Sequence, residues 1–277
     1  MSLAAGKTND AISVRKGDFI LRTAQGGDEI RACQKLRYNV FYREFAARPD
    51  AATAEKGIDA DRFDDFCDHL VVVRTTPSPA SEPVELPDGE LVGTYRLLRR
   101  EIARRQGGFY TQGEYDIAPM LAAHPDLNFL ELGRSCVLKP YRTKPVVELL
   151  WQGIWNFVRA HRIDVMFGCA SLEGTNPDDH VPALSFLSRN ARPPGEWQVR
   201  ALPDRYVEMN RAKAAAIDSK LALRSLPPLI KGYLRLGCYI GDGAVIDHQF
   251  NTIDVLIILP VSAIDDRYFA HFGPPNG

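Results

Sequence analysis

The sequence has almost no net charge and no long hydrophobic run. Its 34 basic and 35 acidic residues give a formal net charge of -1 over 277 residues, whereas nucleic-acid-binding domains usually carry a strongly basic face. The longest apolar run, VLIILPV at 255–261, is interrupted by Pro260 and is much shorter than the roughly 20 residues that span a membrane. We therefore expect neither a nucleic-acid partner nor a membrane span.

The N-terminal segment and the cysteines argue against a secreted protein and against a metal-binding protein. Residues 1–18, MSLAAGKTNDAISVRKGD, lack the apolar core of a secretory signal. The five cysteines are odd in number, scattered and without a C-x-x-C pair, and the histidines lack metal-ligand spacing. The composition predicts a cytoplasmic protein with free thiols and no bound metal.

Apolar periodicity and turn residues divide the chain into alternating strands and helices. Short apolar runs predict strands at 18–24, 69–75, 90–98, 128–137, 165–171 and 252–261. Helical spacing predicts helices at 27–45, 144–162, 210–226 and 227–237. This order is typical of an α/β fold in which helices cover a mixed sheet.

The same pattern predicts a simple domain organisation. A polar stretch over 1–17 is expected to be a flexible lead, and residues 18–265 a single domain. The pattern loosens from about residue 176, which indicates a C-terminal elaboration of that domain. Residues 266–277 are expected to form a tail.

The predicted strand NFLELGRSCV, residues 128–137, contains two charged residues, Glu131 and Arg134. Side chains three residues apart on a strand point to opposite faces, so these charges are not paired with each other unless a bulge turns one of them. A partly desolvated carboxylate beside a cleft is a good general base. The alternative is that each residue pairs with another buried charge and only stabilises the fold.

Six stretches together resemble a known family. They are LRYNVFYREF (36–45), FDDFCDHLVV (63–72), GTYRLL (93–98), ELGRSCV (131–137), YRTKPVVELLWQGIWNF (141–157) and LPPLIKGYLRLGCYIGDGAVIDHQFNTIDVLIIL (226–259). In this order they are similar to the branch of the GNAT superfamily that uses acyl carrier protein, and especially to the ornithine-acyl-ACP N-acyltransferases of bacterial ornithine-lipid synthesis. The resemblance implies a GNAT-like mixed sheet with a splayed centre.

The resemblance also implies roles for individual residues. It makes Glu131, Arg134 and Val137 the candidate catalytic residues, with Glu131 as base and backbone N–H groups near Val137 and Leu138 as donors to the thioester oxygen. It places the amino-acid acceptor, which has one carboxylate and two ammonium groups, among arginines, acids and an aromatic ring: Arg37, Phe41, Asp65, Asp68 and Arg96. The alternative for this set, above all for Arg37, is a structural Arg/Asp network between helix and sheet.

The turn after the 128–137 strand lacks the glycines that hold the pyrophosphate of coenzyme A in many GNAT proteins. It reads RTKPVV, residues 142–147, and Pro145 has no N–H to donate. The family instead implies a phosphopantetheine thioester on acyl carrier protein as donor substrate, with no bound cofactor. Because that carrier is acidic, the basic stretches that follow two neighbouring strands are expected to form one surface that binds it: Arg99, Arg100, Arg104, Arg105, Lys139, Arg142 and Lys144. The alternative is that these charges only form a solvated face.

Two classes of function fit these features. The first is an N-acyltransferase that moves a 3-hydroxylated fatty acyl group from acyl carrier protein to L-ornithine, or to another amino acid or amine. Its product would be delivered to the inner face of the membrane. The second is a non-catalytic module on the same fold that binds acyl carrier protein or lipid. An intact Glu131 favours the enzyme.

Overall fold

The apolar runs of the sequence form the centre of one large mixed sheet. The computed structural model describes residues 12–76, 83–212 and 218–265. The strands are β1 (Ser13–Lys16), β2 (Phe19–Thr23), β3 (Asp68–Arg74), β4 (Glu85–Leu86), β5 (Gly89–Arg99), β6 (Tyr115–Asp116), β7 (Phe129–Val137), β8 (Val165–Glu173), β9 (Arg200–Ala201), β10 (Tyr206–Val207), β11 (Tyr239–Ile240), β12 (Ala244–Asp247) and β13 (Thr252–Pro260).

Helices cover both faces of this sheet. They are α1 (Gly26–Tyr38), α2 (Ala51–Lys56), α3 (Arg100–Arg105), α4 (Ala118–Ala123), α5 (Lys144–Ala160), α6 (Val181–Asn190), α7 (Ser219–Ser225) and α8 (Pro228–Arg235). α5, α6 and α8 pack on one face. α1 and the segment between β5 and β7 pack on the other.

The strand order is β1-β2-β3-β5-β7-β8-β13-β12-β10, with β4 beside β5 and β11 beside β13. β6 and β9 form a separate pair. Among the described strands, only β7 and β8 are paired in parallel. The α/β class and the GNAT-like mixed sheet predicted from the sequence are confirmed.

The centre of the sheet splays open between β7 and β8. These strands are paired only from Phe129↔Val165 to Glu131↔Phe167. Beyond that point β7 continues along β5 as far as Val137, while β8 continues along β13 as far as Glu173. Each strand keeps its outer partner, so a gap opens between them without leaving either strand unsupported.

A bulge in β7 lies beside this gap. Thr94 is opposite Cys136 and Arg96 is opposite Gly133, so two residues of β7 face the single residue Tyr95 of β5. One of these two residues is Arg134, whose φ of 51° is left-handed. Bulges bend a strand and redirect its side chains, which is how Arg134 leaves the plain alternation of β7.

Several predicted boundaries differ from the structure. The helix predicted at 27–45 ends as an α-helix at Tyr38 and continues as a π-helical turn, Asn39–Glu44. Within the predicted lead 1–17, Ser13–Lys16 forms a strand against β2, and residues 1–11 lie outside the described residues. Of the helix predicted at 210–226, only Ser219–Ser225 is helical and forms α7; residues 210–212 are not helical, and residues 213–217 are not described. The predicted tail 266–277 also lies outside the described residues.

Gly168 allows β7 and β8 to approach each other where their pairing ends. A Cβ at this position would lie 2.1 Å from the backbone oxygen of Leu132, whereas a Cβ at Gly133 would meet nothing within 4 Å. We expect Gly168→Ala to lower the free energy of unfolding by about 2 to 4 kcal/mol, because the clash is with backbone. Gly133→Ala is the matched control and should change it by less than about 1 kcal/mol. Equal urea denaturation midpoints for the two variants would contradict this account.

Candidate active site

A cavity of about 310 Å³ lies at the gap between β7 and β8. Its apolar part includes Leu132 and Ala170, which belong to the core beneath α5 and α8. Glu131 and Ser171, each one residue away along the same strands, line it from the other face because neighbouring strand residues point to opposite sides. The cavity therefore passes through the sheet, from a polar side to an apolar side.

Glu131 is held on the polar side by backbone amides. Its Oε1 accepts from the N–H of Thr111 at 2.7 Å and its Oε2 from the N–H of Tyr110 at 3.0 Å. Burial raises the pKa of the Glu131 carboxyl above its ordinary value, although the bonds from Thr111 and Tyr110 act in the opposite direction. The result is a fixed carboxylate with increased basicity that faces the cavity.

Arg134 has partners of its own. Its Nε donates to Asp59 Oδ2 at 3.2 Å and its Nη2 to Asp61 Oδ2 at 3.3 Å. Its guanidinium lies between the rings of Tyr110 and Phe250, 4.7 and 4.6 Å from their centroids. The bulge turns Arg134 towards the polar side on which Glu131 lies, yet the two charges of the strand are satisfied by separate partners.

Arg37 is the centre of a buried charge network. Its Nε donates to Asp59 Oδ2 at 2.8 Å, and Nη1 and Nη2 donate to Asp64 Oδ1 and Oδ2 at 2.9 and 2.6 Å. Arg37 has no exposed surface and does not line the cavity. This position fits the alternative of a structural Arg/Asp network, because Arg37 joins α1 to the loop before β3.

Arg96 extends this network to β5. Its Nη1 donates to Asp61 Oδ1 at 2.6 Å and to Asp64 Oδ1 at 3.0 Å, and the residue also lines the cavity. Burial raises the pKa of Asp64, but Arg37 and Arg96 outweigh it and hold that pKa well below its usual range. Asp64 is therefore a permanent anion that balances two of the arginines.

The structure separates the five predicted acceptor residues. Arg96 and Phe41 line the cavity. Asp65 is exposed, and Asp68 pairs with Arg99 at 3.3 Å; neither lines the cavity. The acids that form ion pairs with the arginines of this region are the buried Asp59 and Asp64 and the half-buried Asp61, of which Asp64 is one residue from the predicted position. Because this loop forms a short 3₁₀ turn, Arg62–Asp65, strand alternation could not have selected the inward acid.

The predicted basic residues do not form one surface. β5 and β7 are antiparallel, so Arg99, opposite Leu130, lies at the far end of the pair from Val137 and the turn that follows it. Arg100 is buried and donates to backbone carbonyls of Leu121, His124, Pro125 and Leu127 at 2.7–3.2 Å. It holds the segment before β7 in place, which replaces its predicted role in carrier binding.

The turn after β7 has two exposed lysines and an arginine that is hydrogen-bonded within the protein. Lys139 and Lys144 are exposed. Arg142 donates to the carbonyl of Val137 at 2.9 Å and forms two bonds with Glu44 at 2.6 and 2.7 Å. It therefore joins the end of β7 to the π-helical turn after α1.

The backbone N–H groups of Val137 and Leu138 point in different directions. That of Leu138 donates to the carbonyl of Val92 at 2.9 Å. Val137 is opposite Gly93, and paired residues of an antiparallel ladder alternate between bonded and non-bonded. This alternation directs the N–H of Val137 away from β5, towards the side of the gap.

Three acids that the sequence analysis did not select lie together beside the cavity. Carboxylate oxygens of Glu114, Asp247 and Asp254 are all within 4.8 Å of one another. Burial and the charge of Asp254 raise the pKa of Glu114 to about 7, and burial, with Asp247, raises the pKa of Asp254 to about 6. One signal was present in the sequence: Asp254 is a lone charge in the apolar strand TIDVLIILPV.

Comparison with known proteins identifies the family. The family described as "Acetyltransferase (GNAT) domain" matches residues 36–152. The chain is 49% identical to an L-ornithine N(alpha)-acyltransferase of Brucella abortus, over 98% of this chain and 95% of that protein. It is 48% identical to one of Agrobacterium fabrum, over 96% of this chain and 88% of that protein. The chain belongs to the L-ornithine Nα-acyltransferase family.

Solved structures show weaker similarity to this family member. FeeM, an N-acyl amino acid synthase from uncultured soil microbes, is 12% identical, with a TM-score of 0.47 over 88% of this chain and 91% of that chain. The acyl-homoserine lactone synthase LasI is 11% identical, with a TM-score of 0.43 over 89% and 94%. Among the described residues, no helix has the length and apolar character needed to cross a bilayer.

The raised pKa of Glu114 predicts how stability depends on pH. Between the ordinary carboxyl pKa of 4.5 and the folded value of about 7, the folded chain binds more protons than the unfolded chain, so stability falls as pH rises through this window. Glu114→Gln removes this loss. We expect the variant to exceed the wild type by about 1 to 3 kcal/mol at pH 8 and to differ little at pH 5, by urea denaturation. The exposed neighbour Asp116 provides the control Asp116→Asn, and a Glu114→Gln variant less stable than wild type at pH 8 would refute this account.

Proposed function

We propose that this protein transfers a 3-hydroxylated fatty acyl group from the phosphopantetheine thioester of acyl carrier protein to the α-amino group of L-ornithine. The observation that carries the proposal is the cavity through the sheet, with Glu131 on its polar side and an apolar lining on the other. Relatives at 48–49% identity are named for this acceptor. The product is lyso-ornithine lipid, formed in the cytoplasm and delivered to the inner face of the membrane.

The site supplies the groups that the reaction needs. Glu131 takes a proton from the α-ammonium, and the freed amine attacks the thioester carbonyl. The N–H of Val137, directed towards the gap, donates to the oxygen that gains negative charge. The amide C–N bond forms and the C–S bond breaks, the attacking nitrogen loses its second proton to the departing thiolate, and Glu131 releases the proton it accepted to solvent. The apolar part of the cavity receives the acyl chain.

The acceptor enters from the polar side. Arg96 and Arg134 line that side and present guanidinium groups to it, which suit the carboxylate of an amino acid. Phe41 and Phe250 contact each other edge to face there, with centroids 5.6 Å apart. These rings exclude water from the reacting groups, which strengthens the electrostatic contacts.

The donor proposal rests on the turn after β7. α5 begins at Lys144, with Pro145 in its first turn, so this helix start offers fewer N–H groups to a pyrophosphate than a glycine-rich turn does. Arg142 is engaged by Glu44. Lys139 and Lys144 are exposed and attract an acidic carrier protein; Lys144 also forms an exposed ion pair with Glu148 at 3.5 Å.

A comparison of donors tests this part. With matched acyl groups, we expect kcat/KM to be at least about tenfold higher with acyl carrier protein than with coenzyme A, the loss expected from missing phosphate contacts. Lys139→Glu with Lys144→Glu should raise KM for the carrier. Arg104→Glu with Arg105→Glu, which changes two exposed basic residues in the helix that follows β5, is the matched control. Equal kcat/KM for the two donors would exclude the carrier-specific donor.

Replacement of Glu131 tests the base. Glu131→Gln cannot accept a proton, so we expect kcat to fall by about 10²- to 10⁴-fold and the acidic limb of its pH profile to disappear. The amide can accept only one of the two N–H bonds, which should cost about 1 to 3 kcal/mol of stability.

A control separates rate from stability. Asp164 accepts the backbone N–H of Asn128 at 2.7 Å just before β7, so Asp164→Asn disturbs a comparable carboxylate–amide bond outside the residues that line the cavity. It should keep its rate. A folded Glu131→Gln variant with a rate within a few-fold of wild type at saturating substrates would reject Glu131 as the base.

A further inference from the structure

We propose that Glu114, Asp247 and Asp254 bind the side-chain ammonium group of the acceptor, and that they determine which of its two nitrogens is acylated. This inference rests on the proposed function, because it assigns a residue set to one group of that acceptor. We name these three residues the acid cluster.

The acid cluster lies on the same side of the sheet as Glu131. Glu131 is paired with Phe167, and Cys169 and Ser171 follow on the same face of β8 at every second residue. Ser171 is opposite Asp254 on β13. Asp247 and Asp254 both line the cavity that Glu131 lines. Cys169, two residues or about 7 Å along β8 from Phe167, donates to Glu114, so an acceptor bound along this face has Glu131 at one end and the acid cluster at the other.

In the part of the chain that the structure describes, the hydrogen-bond partners of the acid cluster are neutral, and Arg205 and Arg134 act on Glu114 and Asp254 only through their charge. The thiol of Cys169 donates to Glu114 at 3.2 Å and the hydroxyl of Thr252 to Asp254 at 3.0 Å. Asp247 accepts two backbone N–H groups at 2.8 and 2.9 Å. Within residues 12–76, 83–212 and 218–265, none of the three acids forms an ion pair.

The contrast with the other acids of the site is direct. Asp59, Asp61 and Asp64 are paired with three arginines, which balance their charges. The acid cluster concentrates up to three negative charges in a largely buried place without any arginine or lysine bonded to it. Buried charges of one sign are costly unless a counter-charge is present, so the cavity that Asp247 and Asp254 line is suited to a cation.

The acceptor has a group that suits the acid cluster. The relatives are named for acylation of the α-nitrogen of L-ornithine, a substrate with a second amine on its side chain. An ammonium group has no lone pair and cannot attack a thioester. Carboxylates around the side-chain amine favour its protonated form, whereas Glu131 removes a proton from the α-amine. The two ends of the cavity thus give the two nitrogens opposite protonation states.

The experiment compares ornithine with 2-aminopentanoate, which has the same carbon skeleton but no side-chain amine. Binding is measured by calorimetry and turnover by steady-state rates, for the wild type, Glu114→Gln and Asp254→Asn. We expect wild type to prefer ornithine by about 10- to 100-fold, the effect of one charge-assisted contact. Each variant should lose most of that preference through weaker ornithine binding, while its affinity for 2-aminopentanoate stays within a few-fold.

The matched control is Asp116→Asn, an exposed acid two residues from Glu114, which should keep the preference. A variant that loses both acceptors equally, or that keeps its preference for ornithine, would overturn the inference. So would loss of ornithine binding on addition of EDTA, which would assign the acid cluster to a metal ion. Ornithine that binds in a cluster-dependent manner but is not acylated would count against the proposed function alone.

Product analysis gives a second readout. Tandem mass spectrometry distinguishes acylation at the α-nitrogen from acylation at the side-chain nitrogen. Wild type should give only the α-product, and Glu114→Gln or Asp254→Asn should give a detectable fraction of the side-chain product at high pH, where that amine loses its proton. Exclusive α-acylation by both variants would contradict the role of the acid cluster in choosing the nitrogen.

Discussion

The site depends on the point at which β7 and β8 stop pairing. Parallel strands normally continue side by side, since separation leaves backbone N–H and C=O groups without partners. Here the pairing ends at Glu131 and Phe167, yet β7 and β8 each keep an outer neighbour. The gap therefore exposes one edge of each strand to the cavity. A thioester that enters this gap meets unpaired backbone donors of β7 on one side and the polar face of β8 on the other.

The buried charge network keeps this open centre in register. Three arginines, on α1, β5 and β7, are matched by three aspartates of one loop, 59–64. A buried ion pair contributes little net stability, because desolvation offsets the attraction, but removal of one partner is costly. The network thus has a stronger effect on the positions of its side chains than on the free energy of unfolding. It places Arg134 against Tyr110 and Phe250 at the edge of the cavity.

The sequence indicates some parts of this arrangement better than others. Lone charges in apolar strands are visible without a structure, and Glu131 and Arg134 were found in this way. The acids of the 59–64 loop were not, because a loop has no fixed period from which to decide between Asp64 and Asp65. The basic stretches after β5 and β7 were placed together because they follow neighbouring strands. Whether two such stretches lie at the same edge of the sheet depends on whether the strands are parallel or antiparallel. That direction is set by contacts between residues distant in the chain, so the local sequence does not reveal it.

One short segment connects the three functional parts. Tyr110 and Thr111 give Glu131 its backbone N–H partners, the ring of Tyr110 stacks on Arg134, and Glu114 completes the acid cluster. Tyr115 then fixes the segment to the sheet through bonds from its hydroxyl to the carbonyls of Gly243 and Asp254. Because one short segment positions all three parts, the proposed mechanism requires a substrate with two amines and a carboxylate to match their spacing in order to present its α-nitrogen to Glu131. In that mechanism, specificity depends on the distance between the charged groups of the site more than on any single contact.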